Sequence, residues 1–205
     1  MEKKKKTAQP GGLSYMEQIR EDALRILDYG DNTASELVRK LVKKGHDEGK
    51  AEEVTAVLVS QDLVNDRRYA ENYARVKAGS GKGPIWIRQK LTEKGVSSAD
   101  ISAALAEHAD RDAERVLCAK KALKICGLES DFELDEYGSL VPAEDSAYIY
   151  ERASIFELDE EEAAADRQAA YKYREKQKAK LVRRLASAGF SPSAVYYTVS
   201  KIADL

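Results

Sequence analysis

The sequence predicts an all-α fold of tandem three-helix, helix-turn-helix-like repeats stacked into an extended array. Three observations predict it. A Leu-x-x-x-Leu-x-x-Lys-Gly pattern recurs as Leu37–Gly45, as Ile87–Gly95 with isoleucine first, and as Leu181–Gly189 with Ala188 in place of the lysine. Each copy sets two aliphatics four residues apart on one helix face and ends at a glycine suited to a left-handed cap. An aliphatic helix follows each copy (Val54/Leu58, Ile101/Leu105, Val195/Val199) and an amphipathic one precedes it. One such unit cannot bury its apolar face alone, so neighbours must stack. The composition agrees: 43% of residues are hydrophobic, 34% are charged, and only four are proline.

The elements follow in order. Residues 1–13 hold a lysine run and Pro10-Gly11-Gly12 and read as a disordered basic tail. The first unit spans 14–62. Its first helix, Tyr15 to Tyr29, carries Ile19, Ala23, Ile26 and Leu27 and stops at Gly30-Asp31-Asn32. Thr33 with Glu36 three residues on forms a capping box, opening a helix with Leu37, Leu41 and Val42 inward. A third helix, about Lys50 to Ser60, turns Val54, Val57 and Leu58 inward.

The second unit spans 63–108. Asn65 caps a helix carrying Tyr69, Tyr73 and Val76, which breaks at Gly79-Ser80-Gly81-Lys82-Gly83. Pro84 suits the first turn of the next helix, whose stripe is Ile87 and Leu91. Ser97 heads the unit's last helix, with Ile101 and Leu105 inward. The third unit spans 109–205. A helix from about Ala109 to Ile125 carries Val116, Ala119 and Leu123. An acidic insertion at about 127–158 follows. Within it Phe132–Asp135 and Tyr148–Tyr150 are β-like, so it forms either a small β-hairpin or an irregular loop. Helix resumes near Asp159 and runs to Ala188. Ser191 and Pro192 open the last helix, with Val195, Tyr196, Val199 and Ile202.

Composition excludes several classes. No apolar run approaches the roughly 18 residues that cross a bilayer, and no apolar stretch follows the N-terminal lysines as a secretory signal requires. Cys118 and Cys126 lack companions at metal-ligand spacing and read as reduced structural thiols. These features place the chain in the cytoplasm. No cofactor or metal is expected, and the chain is expected to be a monomer, although none of these features sets the oligomeric state. His46 and His108 stand alone, and Glu160-Glu161-Glu162 reads as a solvated helix start, so no catalytic residue is assigned and the chain is not an enzyme. The Gly79–Gly83 loop lacks a full phosphate-binding pattern. It is either a linker or, through Lys82 and the free N–H groups at Pro84, an anion contact.

Charge is unevenly placed. The net −2 divides into +4 over residues 1–125, −12 over 126–170 and +6 over 171–205. Basic residues recur unit by unit: Arg39, Lys40, Lys43, Lys44, Arg67, Arg68, Lys82, Arg88, Lys90, Lys94, Arg183 and Arg184. Aligned by stacking, they would form a stripe for DNA phosphates or an acidic protein wall, with salt-sensitive affinity.

Four stretches resemble the RecX family, regulators of the bacterial recombinase RecA. They are Ala34-Ser35-Glu36-Leu37, the run Leu63 to Tyr73 (Leu-Val-Asn-Asp-Arg-Arg-Tyr-Ala-Glu-Asn-Tyr), Gly83 to Val96, and Ala188-Gly189-Phe190-Ser191. The resemblance covers about residues 20–125 and 166–202. It implies a curved array of three-helix repeats lying in the groove of the RecA–single-stranded DNA filament, restraining ATP hydrolysis and strand exchange. The partner it implies is that filament, with single- or double-stranded DNA as a further contact. The sequence departs from the family pattern at the acidic segment and at Trp86, where a basic or small residue is typical. Two other readings stand beside it: a helical protein that binds DNA directly, and a general protein-interaction scaffold.

Overall fold

The computed structural model describes residues 14–106, 111–143 and 167–203. Among them are nine helices: α1 (Tyr15–Asp28), α2 (Ala34–Lys43), α3 (Glu48–Ser60), α4 (Asp66–Gly79), α5 (Pro84–Glu93), α6 (Ser98–Leu105), α7 (Arg111–Cys126), α8 (Arg167–Ser187) and α9 (Pro192–Ala203). Strands β1 (Phe132–Leu134) and β2 (Leu140–Pro142) follow α7. The chain forms two compact bodies, Met1–Asn72 with Leu91–Ala103, and Tyr73–Lys90 with Ala104–Leu205. The expectations for residues 1–13, His108, Tyr148–Tyr150 and a helix start near Asp159 lie outside the described residues.

In the first body, α1, α2 and α3 enclose Ile19, Ala23, Leu37, Leu41, Ala51, Val54, Leu58 and Val64. Ser14 and Glu17 make the reciprocal capping box that starts α1. The box expected at Thr33 is only half made. Thr33 Oγ1 accepts from the Glu36 N–H at 3.1 Å, but the Glu36 carboxylate turns instead to Lys94 Nζ at 2.7 Å. Two inward assignments change. Val42 and Val57 are exposed, while Ala51 and Thr55 take the buried positions of α3. In α4 the buried stripe is Ala70, Ala74 and Ala78, and Val76 is 59% exposed. Small side chains at i, i+4 and i+8 face inward there, where larger tyrosines beside them had marked the face.

In the second body, α7, α8 and α9 close over Cys118, Ala122, Leu181, Leu185, Ala188, Phe190, Ala194, Val195, Val199 and Ile202. Tyr196, placed with the stripe by periodicity, is exposed. The acidic insertion does begin with a hairpin. Phe132–Leu134 forms its first strand, but the antiparallel partner is Leu140–Pro142. Asp135 sets the turn by accepting the N–H groups of Tyr137 and Ser139 at 2.9 and 2.8 Å. Phe132 tucks against Leu123 and Leu128.

The repeat keeps its register. Helices α2, α5 and α8 all end at a glycine with positive φ: 99° at Gly45, 83° at Gly95 and 88° at Gly189. At each, the following residue's N–H reaches back to the leucine carbonyl: His46 to Leu41 at 3.2 Å, Val96 to Leu91 at 3.1 Å and Phe190 to Leu185 at 3.4 Å. The glycine N–H bonds one residue further on, completing a Schellman motif. Two residues past each glycine stands the cap of the next helix. Asp47, Ser97 and Ser191 each accept the N–H three residues on.

Candidate functional site

The glycine turns do more than end helices. In the first body the turn closing α5 seats on the start of α2. Thr33 Oγ1 donates to Lys94 O at 2.7 Å, and a Cβ on Gly95 would lie 2.5 Å or less from the Ser35 side chain. In the second body the turn closing α8 seats on the start of α5. The Gly83 N–H donates to Ala188 O at 2.8 Å and the Ile85 N–H to Gly189 O at 3.1 Å. A Cβ on Gly189 would lie 2.4 Å from the Trp86 nitrogen, and one on Gly83 would lie 2.2 Å from Gly189 O. In repeat register Thr33 corresponds to Gly83 and Lys94 to Ala188, so one seam is built twice. Each seam brings a helix's carbonyl end to another helix's N–H end, which suits both backbone accounting and dipoles.

The first seam is reinforced by α4. Asp66 Oδ1 accepts the Ala34 N–H at 2.8 Å. Lys94 Nζ lies 5.5 Å from the Tyr69 ring centre. Burial works to lower the Lys94 pKa, but hydrogen bonds to Glu36 and Tyr69 outweigh it and hold the ammonium above its usual range. Thr33→Val keeps the shape of a fully buried side chain but removes both the cap and the bond to Lys94 O. A loss of about 1–2 kcal/mol is expected in urea unfolding.

The basic residues marked by sequence separate into two kinds. Several are engaged within the protein. Lys40 Nζ donates to the buried Asn32. Lys44 Nζ meets Asp22 at 2.9 Å, Arg68 meets Asp62 at 3.0 Å, and Lys94 belongs to the seam. Lys82 and Lys90 flank the Trp86 ring, 4.8 and 6.0 Å from its centre. Trp86 itself is half-buried against Gly189. Of the N–H groups expected to be free at Pro84, those of Gly83 and Ile85 are taken by the Ala188 and Gly189 carbonyls. The others face solvent. Arg39 reaches Ser35 O and Glu93 O with its guanidinium, and Arg67 makes only an exposed pair with Glu71 at 3.1 Å. Lys43, Arg88, Arg183 and Arg184 are exposed.

Asp22 gathers Lys44 and His46, the latter at 2.8 Å. Its carboxyl is held below the usual range, first by the Lys44 bond and then by His46. A depressed carboxylate stabilises the fold above its unfolded-state value near ~3.9, and that contribution vanishes as pH falls through the folded value. Asp22→Asn should therefore flatten the acid limb of the stability–pH curve below about pH 4, with little change in its slope above that. An unchanged acid limb in chemical denaturation would contradict this.

Sequence reading named Gly83, Asp66 and Tyr69 but gave them no part in a seam. A signal was available: two of them sit in the Asn-Asp-Arg-Arg-Tyr run, and Gly83 directly precedes a helix-opening proline. Among the described residues no group of three or more His, Cys, Asp or Glu is arranged to hold a metal ion. No helix among them is long and apolar enough to cross a membrane. Cys118 and Cys126 are free thiols.

Known proteins place this architecture. Residues 20–56 match the model of the first three-helix domain of RecX, and residues 65–105 that of the second. The regulatory protein RecX of Halorhodospira halophila is 36% identical over 89 residues, 43% of this chain and 55% of that protein. RecX of Pseudomonas putida is 36% identical over 98 residues, 48% of this chain and 69% of that protein. The chain thus spans between about half and seven-tenths of the length of these relatives. A crystal structure of regulatory protein RecX superposes with a TM-score of 0.62 at 25% identity, covering 90% of this chain and 72% of that one. The crystal structure of RecX from Lactobacillus salivarius shares the fold, with a TM-score of 0.62 and 20% identity over 93% of this chain and 97% of that one. Two matched domains, the tandem three-helix repeat and these relatives lead to one statement: the chain belongs to the RecX family of regulatory proteins.

Proposed function

We propose that this chain regulates the RecA recombinase by binding its filament on single-stranded DNA and slowing ATP hydrolysis and strand exchange. The observation that supports this most is the family match through two consecutive three-helix domains, whose second helices keep Arg39, Lys43 and Arg88 at the surface. A run of helical units can touch successive subunits of a filament at once. Binding across subunits stabilises one state of the filament and thereby slows a cycle that needs subunits to change state. Arg39, Lys43, Arg67, Arg88, Arg183 and Arg184 are the contacts this reading favours, since the remaining candidates serve the protein's own packing.

The test is RecA's DNA-dependent ATPase with this protein added at stoichiometric amounts, together with sedimentation of the filament. Hydrolysis should fall and the protein should pellet with the filament. Full hydrolysis with no co-sedimentation would sink the proposal. An Arg39→Glu/Lys43→Glu/Arg88→Glu variant of unchanged helicity should lose most of the inhibition.

A further inference from the structure

Helix α8 is unlike the other second helices. It runs 21 residues where α2 and α5 run 10. It carries eight Lys or Arg and one acid, in a chain whose net charge is only −2. At about 100° per residue, Lys172, Arg183, Lys176, Lys180, Tyr173 and Arg184 fall within one arc of about 120°. That arc lies opposite Leu181 and Leu185, which are buried. All six of its residues are exposed, Tyr173 by 38%. The single acid, Glu175, lies off the arc and pairs with Lys178 at 3.7 Å. Among the described residues no ion pair engages Lys172, Lys176, Lys180 or Arg184. Arg183 gives only its Nε, to Ala179 O at 3.2 Å.

This arrangement opposes the helix that bears it. Lys172, Lys176, Lys180 and Arg184 make three successive like-charge i,i+4 pairs, each of which weakens a helix. A solvated face normally interleaves acids at those positions. A penalty repeated three times along one line is the kind of local conflict that function explains. The cations rise along the axis in steps of about 6 Å. Such a line concentrates small counterions, and a polyanion laid along it releases them, which is the main driving force of protein–nucleic acid association. An acidic protein surface would also be attracted. An exposed ring favours nucleic acid, since Tyr173 lies within the cationic arc. Unpaired bases stack on such rings.

We propose that the exposed face of α8 is a track for the phosphodiester backbone of single-stranded nucleic acid, with Tyr173 meeting a base. The track lies outside residues 20–56 and 65–105, the two matched family domains, and does not depend on RecA.

Fluorescence anisotropy of the full chain with a labelled single-stranded oligonucleotide, and with its duplex, tests this in the absence of RecA. The double reversal Lys176→Glu/Lys180→Glu should weaken single-strand binding by at least about tenfold. It should also flatten the salt slope by more than ~1, since each phosphate left without its cation removes about 0.7. Lys176→Gln/Lys180→Gln should show the same direction with a smaller change. Reversal of the exposed Lys120 and Lys124 on α7, Lys120→Glu/Lys124→Glu, alters net charge equally and should stay within about twofold. Tyr173→Ala should weaken single-strand binding more than duplex binding. Circular dichroism confirms that each variant is folded. Equal losses in the two double reversals would overturn the proposal, as would undiminished binding by the α8 variants. Displacement of the oligonucleotide by poly-L-glutamate as effectively, per charge, as by unlabelled DNA would also overturn it and assign the face to an acidic protein. Loss of RecA inhibition bears on the preceding reading alone, since this assay contains no RecA.

Discussion

Gly189→Ala should destabilise the protein by about 3–5 kcal/mol, whereas Gly45→Ala, the same substitution at the same place in the repeat, should remove only about 1–2 kcal/mol. The two glycines have nearly the same backbone, with φ of 88° and 99°. Both therefore impose the left-handed strain of an L-residue, and that contribution cancels in the comparison. What differs is the surroundings. A Cβ at Gly45 meets nothing within 4 Å, while one at Gly189 meets the Trp86 backbone nitrogen at 2.4 Å. That backbone cannot rotate away as a side-chain tip could. The Ala188 and Gly189 carbonyls would have to retreat from the Gly83 and Ile85 N–H groups, breaking two hydrogen bonds of 2.8 and 3.1 Å. In a chain of this size, melting should shift by roughly 10 °C for Gly189→Ala and by a few degrees for Gly45→Ala. Equal shifts would mean that close approach at the seam contributes nothing.

Leu185→Ala is the second large effect expected, at about 2–5 kcal/mol. Leu185 is fully buried with Cys118, Phe190 and Ile202, and its carbonyl receives the Phe190 N–H of the glycine turn. Truncation leaves a cavity beside that turn. Val182, on the same helix but 38% exposed, is the matched comparison, and Val182→Ala should change stability by less than about 0.5 kcal/mol. Cys118 supplies an independent readout. Burial pushes its thiol up to about 12, so it is inert in the folded protein. Its reaction with a thiol reagent should speed up in Leu185→Ala and remain slow in Val182→Ala. Similar rates in both variants would show that Leu185 does not hold this cluster shut.

The parts of this fold that were legible in sequence are those set by the backbone. The three glycines, the caps at Thr33, Asn65, Ser97 and Ser191, and Pro84 each have one physical use at one place, and each appears there. Side-chain facing was less legible. Val42 and Val57 lie one position from the buried Leu41 and Leu58, and periodicity alone does not choose between neighbours on the edge of a stripe. In α4 the alanines were hidden by larger residues beside them. The second hairpin strand was missed because Leu140-Val141-Pro142 is short and ends in proline. The basic residues were found, but their duties were not. Whether Lys44 faces a partner or Asp22 depends on a residue 22 positions away, and no local pattern encodes that.

The seam also bears on where the repeat stops. The starts of α2 and α5 are seats because a helix begins there, three residues before Leu37 and Ile87. The same position before Leu181 is Lys178, which lies inside α8 rather than at its beginning. Its N–H belongs to the helix's own ladder, and no cap or small residue opens a place for an incoming glycine turn. A further copy of the repeat would find nothing to rest on. By the joining rule of the two seams, α8 therefore offers no third seat, because the position that would serve as one lies within a continuous helix.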